Sequence, residues 1–424
     1  MSKKRPYKTP IFIFYFKSLL KEIIICYDKE KVGDKMKEKS TLKKIRDIDM
    51  PLFFVTIILF IFGLLNIVTA SSRAAVVNYD VSIYYYFYRQ LIFIIVGFMV
   101  GGIILKTNTK YYKILIYMIF IIAIILNIWA LNSRAISGSN NWIDLKFVKL
   151  QPSELSKPVV IVLLGVLFEK YYKKLRTINR NHYDIIGRLL IIAAVIPAII
   201  LLQKDLGTLL IMLFIIGMMF LSSPILKKDK LKVSGLIIAV LLASLLLVYL
   251  VKGQILNDAR MSRLTSFLDP CGRYETGGYQ VCNGYIAIND GGMFGLGIGK
   301  SKQKYSYIPE PHTDSAFAII AEEYGIYRTL FIFIGYIIII QRILTISSKA
   351  STLRGRYICL GVACYIFAHI FVNLGGMFGL IPLTGVPLPF LSYGGSFVLS
   401  LITSLAIVQR INIETKNQVI KIKD

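Results

Sequence analysis

The sequence contains few of the residues that support metal or redox chemistry. Its 424 residues include three histidines, five cysteines and two tryptophans. The cysteines have no metal-binding spacing, so we predict no protein-held metal site of the zinc or iron–sulfur kind. Cys271 and Cys282 share one long polar segment and could pair in an oxidising compartment, but two free thiols are the expected state.

Acidic residues are also scarce. The chain has 24 Asp and Glu against 50 Lys and Arg, a formal net charge of +26. On a soluble chain this excess would suggest nucleic acid, but 55% of the residues are hydrophobic and the mean hydropathy is +0.63. That composition is typical of polytopic membrane proteins. We therefore expect no nucleic acid partner and place the basic residues in loops that face an anionic cytoplasmic leaflet.

Long apolar runs dominate the rest of the sequence, and each is close to the roughly 20 residues that cross a bilayer. They predict an all-α polytopic membrane protein with ten transmembrane helices. The predicted spans are 51–70, 90–106, 113–131, 154–169, 187–203, 205–222, 233–251, 326–345, 355–376 and 394–411.

The loops between these spans predict the orientation. Alternate loops are rich in Lys and Arg, whereas the gap between the ninth and tenth spans has neither. By the positive-inside rule both termini are cytoplasmic, and a large extracellular loop, about 252–325, connects helices 7 and 8. His182 falls in a basic inner loop and is expected to be a solvated polar residue.

The sequence divides into three parts. Residues 1–48 form a basic cytoplasmic tail, in which the apolar run Ile11-Phe-Ile-Phe-Tyr-Phe16 predicts an amphipathic helix on the inner leaflet. Residues 49–412 form the membrane domain, and 413–424 form a cytoplasmic C-terminal tail.

The extracellular loop carries the leading catalytic candidate, Asp314. It ends the segment Pro309-Glu-Pro-His-Thr-Asp314 and precedes a predicted helix that starts at Ser315. A carboxylate at a helix N-terminus often caps free amides, which is one interpretation of Asp314. The other is a general base, because a carboxylate at the membrane surface can take a proton from a sugar hydroxyl.

Two further features lie in the same loop. Arg260 and Arg263 are one helical turn apart and could bind a pyrophosphate bidentately, or could simply meet lipid headgroups. The glycine-rich run Gly291-Gly-Met-Phe-Gly-Leu-Gly-Ile-Gly299 has no strand before it. Tight turns or close backbone approach therefore explain it better than nucleotide binding.

A second polar cluster precedes the fourth span. It contains Trp142 and Gln151-Pro-Ser-Glu154-Leu-Ser-Lys157, where Pro152 marks a helix start. Glu154 and Lys157 are three residues apart and predict an ion pair that either holds the helix or lines a polar cavity. The Pro- and Gly-rich stretch 373–395 must be irregular, which is tolerated at membrane depth only around a cavity or inside protein. Transport and transfer chemistry at the outer face both fit this arrangement.

These motifs resemble the SEDS family (shape, elongation, division and sporulation), which includes FtsW, RodA and SpoVE. The resemblance covers about 49–412. Two stretches, Ser71-Ser-Arg-Ala-Ala75 and Gln303-Lys-Tyr-Ser-Tyr-Ile-Pro309, are more similar to the FtsW members than to RodA. It rests on Trp142-Ile, Gln151–Lys157, Asp205-Leu-Gly-Thr208, Arg263 with Phe267-Leu-Asp-Pro270, Gly278-Tyr-Gln280, Pro309–Asp314 and Pro387–Gly395.

The resemblance implies a peptidoglycan glycosyltransferase that polymerises lipid II, an undecaprenyl-pyrophosphate disaccharide peptide, with inversion during cell division. It implies that Asp314 is the base and that Arg260 and Arg263 neutralise the pyrophosphate, aided by a divalent cation such as Mg²⁺ or Mn²⁺. The other implied substrate-binding positions are Glu154, Lys157, Trp142, Gln280, Glu310, His312 and Ser392.

The implied setting is the bacterial plasma membrane at the division septum. The implied partners are a class B penicillin-binding protein transpeptidase and other divisome or elongasome membrane proteins. A lipid II flippase or other polyprenyl-lipid transporter, a RodA-type elongation polymerase and a non-catalytic scaffold are the alternatives. Asn141 stands where many members have Arg, Lys204 replaces a common Pro, and Ser315 replaces a common Phe, so a ligand role for that arginine is in doubt here.

Overall fold

Helices dominate the part of the chain that the computed structural model describes. It comprises residues 47–78, 80–135, 139–145, 148–177, 182–236, 239, 267–276, 278–305, 308 and 311–423. Outside it lie the predicted amphipathic helix of the N-terminal tail, Arg260, Arg263 and Glu310.

The helical boundaries follow the apolar runs. A small antiparallel sheet, which the all-α prediction did not include, pairs β1 (Ile143–Asp144) with β2 (Lys149–Leu150). Single-turn helices occupy Ala74–Asn78, Thr109–Tyr111 and Tyr274–Thr276. The α-helices with both ends assigned are α1 (Met50–Arg73), α2 (Tyr85–Lys106), α3 (Tyr112–Leu131), α4 (Pro152–Lys170), α5 (Tyr172–Arg176), α6 (His182–Leu202), α7 (Leu206–Ser222), α8 (Tyr279–Gly291), α9 (Ala316–Lys349), α10 (Leu353–Met377) and α11 (Gly395–Lys423).

The helices confirm a polytopic helical membrane protein. In the described part of the chain, seven are long and apolar enough to cross a membrane, judged by length and composition, and α7 is a shorter apolar helix. Predicted spans other than the seventh coincide with α1–α4, α6, α7 and α9–α11. The seventh span, 233–251, lies mostly outside the described residues. Helix α11 continues to Lys423, so the residues of the predicted C-terminal tail extend this helix.

Local sequence signals explain where several helices start. Asp49 caps α1 by accepting a hydrogen bond from the Leu52 amide at 3.1 Å, and Asp205 caps α7 in the same way through the Thr208 amide at 3.1 Å. Helix α4 begins at Pro152, as predicted, because proline fits the first helical position.

Helices α10 and α11 form the centre of the protein. In their most apolar windows 83% and 89% of the residues are buried, against 22% for α2 and α3. Helix α10 packs against α4, α7 and α9, and α11 packs against α2 and α4. The site described below is therefore built around α10 rather than on the lipid-facing helices.

Helix α9 is two helices joined at a break. Gly325 has a left-handed backbone (φ 78°, ψ 163°), which favours glycine. The break lets a loop enter: the Ile326 amide donates to the Gly292 carbonyl at 3.0 Å, and the Leu296 amide donates to the Glu322 carbonyl at 2.9 Å. A side chain at Gly295 would come within 2.4 Å of the Glu323 carbonyl oxygen. The short half, 316–324, is thus held apart from the long apolar half, 326–349.

Two buried carboxylates hold the following loop against the short half of α9. Glu322 accepts hydrogen bonds from the Ser301 hydroxyl and from the Lys302 amide at 2.7 Å. Glu323 pairs with the buried ammonium of Lys304 at 3.0 Å. The two carboxylates therefore fix residues 301–304 to the helix that Asp314 precedes.

His182 is not solvated, contrary to expectation. It is buried, and its Nε2 lies 3.0 Å from Asp229 Oδ2 while its Nδ1 lies 3.2 Å from the Lys174 carbonyl. No local pattern indicated this contact, because Asp229 is 47 residues away from His182.

Cys271 and Cys282 form a disulfide, so the expectation of two free thiols was wrong. Their Cα atoms lie 5.0 Å apart because α8 starts at Tyr279 and folds back beside the Cys271 turn. The bond closes a short loop next to Gln280.

A thiol count tests this disulfide. The sequence has five cysteines and the structure pairs two of them, so we expect three to react with maleimide in denaturant without reductant. With reductant all five should react, as read by intact mass. The Cys271→Ser/Cys282→Ser variant should give three in both conditions and lose about 3 kcal/mol of stability by the chain-entropy estimate. Five reactive thiols in the unreduced wild type would contradict the pairing.

Candidate functional site

Asp314 lies half-buried just before α9. Its Oδ1 accepts a hydrogen bond from the Thr313 hydroxyl at 3.2 Å, and its Oδ2 accepts one from Gln280 Nε2 at 3.2 Å. Gln280, in the first turn of α8, also donates to the Ser315 hydroxyl at 2.9 Å. The N-cap of α9 is Ser315, so Asp314 lies one residue before the position at which a capping carboxylate acts.

The surroundings of Asp314 make its carboxylate more basic. Burial raises the pKa of Asp314, and hydrogen bonds from Gln280, Thr313 and nearby backbone amides oppose that rise. A raised pKa strengthens a carboxylate as a proton acceptor, and such perturbed groups in a cleft are candidates for acid–base catalysis.

The irregular segment between α10 and α11, residues 378–394, passes beside Asp314. Asn373, near the end of α10, donates one hydrogen bond to the Asp314 carbonyl and one to the Val386 carbonyl, both at 2.7 Å. A side chain at Gly385 would lie 4.0 Å from Asp314 Oδ2, and this glycine has a left-handed φ of 69°. One amide side chain therefore fixes both the backbone of Asp314 and the segment next to its carboxylate.

His312 supports the same turn. Its ring is buried against Tyr86 and Tyr393, at centroid distances of 4.3 and 5.6 Å, and its carbonyl accepts the Tyr393 amide at 2.8 Å. Burial lowers the pKa of His312 to about 4, so the ring is neutral near pH 7. This placement supports a packing role, and direct contact with substrate stays a prediction.

A second polar cluster lies deep between α4 and α10. Lys157 Nζ is 2.6 Å from Glu154 Oε1 and 2.9 Å from His369 Nε2, and all three side chains are buried. Ser400 of α11 donates to the Glu154 carbonyl at 2.9 Å. Within the described part of the chain, Glu154 Oε2 has no hydrogen-bond partner. The predicted ion pair is confirmed as a contact, and its role in binding stays a prediction.

Asp205 closes one side of this region. Its Oδ2 accepts hydrogen bonds from Asn141 at 2.7 Å and from Gln151 at 3.0 Å. Asn141, where the family resemblance leads us to expect an arginine, thus meets the Asp205 carboxylate as a neutral donor. Trp142 is half-buried directly before β1.

Helix α10 links the two clusters. His369 and Asn373 are one helical turn apart, and both contact the irregular segment, His369 through the Pro387 carbonyl at 3.3 Å. Sequence reasoning did not include His369 in the site. A histidine inside an apolar span is a functional candidate by default, and that signal could have identified it.

Other predicted site residues are placed differently. Ser392 is buried, and its hydroxyl accepts the Leu388 amide at 2.9 Å, so it stabilises the irregular segment. Arg260, Arg263 and Glu310 lie outside the described residues. Among the residues that the structure does describe, no group of three or more His, Cys, Asp or Glu could hold a metal ion. The divalent cation therefore stays a prediction.

Known proteins share this sequence and fold. The family described as Cell cycle protein, which comprises FtsW, RodA and SpoVE, matches residues 50–417. A protein named "Probable peptidoglycan glycosyltransferase FtsW" from Bacillus subtilis is 34% identical, over 88% of this chain and 93% of its own length. "Stage V sporulation protein E" of the same species is 29% identical, over 86% of this chain and 91% of its own.

Solved structures show the same fold. A chain from a peptidoglycan synthase complex superposes with a TM-score of 0.67 at 22% identity, covering 86% of this chain and 97% of that one. RodA of Thermus thermophilus superposes with a TM-score of 0.60 at 21% identity, covering 86% of this chain and 96% of RodA. With the family match across the membrane domain, these likenesses show that this protein belongs to the FtsW/RodA/SpoVE family of cell cycle proteins.

Proposed function

We propose that this protein is a peptidoglycan glycosyltransferase that polymerises lipid II into glycan strands during cell division. The observation that carries the proposal is the placement of Asp314: its half-buried carboxylate has a raised pKa, and its backbone is held at the C-terminal end of α10 by Asn373. The name of the FtsW relatives, peptidoglycan glycosyltransferase, supports the reaction class.

The proposed step is an inverting displacement. Asp314 takes the proton from the acceptor sugar hydroxyl, and that oxygen forms a bond to the anomeric carbon of the donor. The bond between the anomeric carbon and the pyrophosphate oxygen breaks, and lipid pyrophosphate leaves with the electron pair. Arg260 and Arg263 are proposed to neutralise this leaving group, since guanidinium groups bind phosphates bidentately.

The remaining predicted residues are proposed to shape the substrate cavity. Glu154 and Lys157 would present a buried polar wall on α4, and Gln280 would orient the base through its hydrogen bond. Direct contact of Trp142, Glu310, His312 and Ser392 with lipid II belongs to the same proposal.

The proposed setting is the plasma membrane at the division septum. A class B penicillin-binding protein would crosslink the strands, with other divisome or elongasome membrane proteins nearby. The solved peptidoglycan synthase complex that shares this fold coordinates polymerisation and crosslinking, which supports such a partner.

The proposed topology has ten spans, cytoplasmic termini and residues 252–325 outside. We expect an impermeant maleimide added to intact cells to label Glu275→Cys but not Lys173→Cys, because both positions are exposed and lie on opposite sides in this arrangement. A Cys26→Ser background leaves only buried or disulfide-bonded native cysteines. After permeabilisation both sites should react. Labelling of Lys173→Cys alone in intact cells would invert the topology.

Gln280 offers a test that depends on pH. Its Nε2 donates to Asp314 and favours the ionised form, so Gln280→Leu should raise the pKa of Asp314 further. A general base acts only when deprotonated, so the acid limb of the kcat/KM profile should move to higher pH. A raised KM with an unmoved acid limb would instead assign Gln280 to substrate binding.

The activity itself is tested with purified protein and lipid II, with and without a class B transpeptidase. We expect glycan strands of many disaccharides, resolved on gels after removal of the lipid. Movement of labelled lipid II across vesicle membranes without polymer would favour the transporter alternative. Polymer that forms only with an elongation-type partner would favour the RodA-type alternative.

A further inference from the structure

The glycine-rich run Gly291–Gly299, here called the interfacial loop, exposes apolar side chains that the proposed activity does not use. Met293 is 60% exposed, Phe294 73% and Ile298 65%. The loop has no charged or hydrogen-bonding side chain over its nine residues. An apolar cluster of this kind on a surface loop marks an interaction site.

Backbone hydrogen bonds fix the depth of this loop relative to the long half of α9. The Ile326 amide donates to the Gly292 carbonyl at 3.0 Å, and the Tyr327 amide donates to the Met293 carbonyl at 3.2 Å. Arg328 Nη1 also donates to the Phe294 carbonyl at 3.2 Å. The exposed loop residues therefore lie level with the first turn of an apolar helix that is long enough to span a membrane.

The composition around the loop matches a membrane–water boundary. Below it, the surface of α9 continues with exposed Leu330, Phe331 and Ile334. Beside it, Tyr327 and Arg328 are exposed, and these residue types are enriched where a span leaves the bilayer. Exposed Lys300 and Lys302 follow the loop and suit anionic headgroups.

We propose that the interfacial loop is a lipid anchor: Met293, Phe294 and Ile298 insert into the leaflet on the Asp314 side of the membrane. The occupant of this apolar face is the lipid itself, because the hydrogen bonds place the face at the level where the lipid-facing surface of α9 begins. Burial of apolar side chains at the acyl boundary, with basic residues above them, is how interfacial segments bind membranes.

The anchor acts on the site through the backbone. The Leu296 and Gly297 amides donate to the Glu322 and Glu323 carbonyls at 2.9 and 3.0 Å, on the short half of α9. Asp314 directly precedes that half. These hydrogen bonds therefore couple the depth of the loop in the leaflet to the position of the Asp314 carboxylate relative to the lipid surface. This coupling holds whichever reaction takes place at Asp314.

Depth-dependent fluorescence quenching tests the anchor. The two native tryptophans, Trp129 and Trp142, are replaced by Phe, and Phe294→Trp supplies one emitter at an exposed position. The full chain is reconstituted in phosphatidylglycerol vesicles whose acyl chains are brominated near the headgroup. Phe331→Trp, 67% exposed on α9, is the lipid-facing control, and Tyr305→Trp, 49% exposed beyond the loop, is the matched aromatic control.

We expect Phe294→Trp to be quenched by the brominated lipid nearly as strongly as Phe331→Trp, and several-fold less by aqueous acrylamide than Tyr305→Trp. Strong acrylamide quenching without lipid quenching would overturn the proposal. Protection from both quenchers would also overturn it, because the face would then be covered by protein. Far-UV circular dichroism and gel filtration confirm that each variant is folded.

Discussion

Asp314→Asn is expected to leave the protein folded and inserted but to lower lipid II polymerisation by roughly 10²–10⁴-fold, the usual contribution of a general base. Asparagine keeps the shape of the side chain: its carbonyl oxygen can accept the hydrogen bond from Gln280, and its amide N–H can donate to the Thr313 hydroxyl. It cannot take the hydroxyl proton. Initial rates with purified protein in vesicles, together with the melting temperature, measure the two effects separately.

Asp290→Asn is the matched control for this variant. Asp290 is a partly exposed aspartate at the end of α8, on the same polar segment as Asp314. The Asp290→Asn variant should therefore polymerise lipid II at the wild-type rate. The pH profile gives a second check. Because burial raises the pKa of Asp314, wild-type activity should fall as pH drops through a value above that of a free aspartate. Near wild-type activity of Asp314→Asn would sink the general-base assignment and direct attention to Glu310 or Glu154.

Breaking the buried Glu154–Lys157 pair should have the largest effect on stability. Lys157→Met leaves Glu154 buried without its ammonium partner, and Glu154→Gln leaves Lys157 without its carboxylate. Removing one partner of a buried pair costs about 3–5 kcal/mol, whereas replacing both is often nearly neutral. We therefore expect a large fall in melting temperature for each single variant and a smaller one for Glu154→Gln/Lys157→Met.

Lys113→Met provides the comparison at the surface. Lys113 pairs with Glu169 at 3.0 Å, but its side chain is 53% exposed, so the loss should be within about 1 kcal/mol. The comparison uses detergent-purified protein at one pH and salt concentration. If Lys157→Met melts like Lys113→Met, the buried pair contributes little to the fold, and its retention would have to be explained by substrate binding alone.

The fold could be predicted to a large extent because helix formation in a membrane is local. Apolar runs of sufficient length have to form helices to satisfy their own backbone, which is why the starts at Met50 and Pro152 and the helix after Ser315 agree with the prediction. The sequence analysis predicted free thiols at Cys271 and Cys282 and a solvated His182, and both predictions were wrong. Each of these residues depends on a partner that only folding brings near.

Asp314 could be selected as a catalytic candidate from its sequence neighbourhood, but the contacts around it could not be predicted. Its backbone is fixed by Asn373, 59 residues away, and Lys157 meets His369 across 212 residues. These contacts depend on how α10 packs against α4 and α9, and packing of this kind leaves no periodic signal along the chain.

Apolar run length and motif order in the sequence were enough to indicate the helical membrane architecture, the FtsW/RodA/SpoVE family and Asp314 as the leading catalytic candidate. What surrounds Asp314 depends on folding: the break at Gly325, the hydrogen bonds from Gln280 and Asn373, and the loop that reaches the first turn of the long apolar half of α9. Backbone hydrogen bonding and apolar run length act within one segment, so a sequence records them directly. The pKa of Asp314 and the position of its turn depend instead on burial and on contacts between segments far apart in the chain.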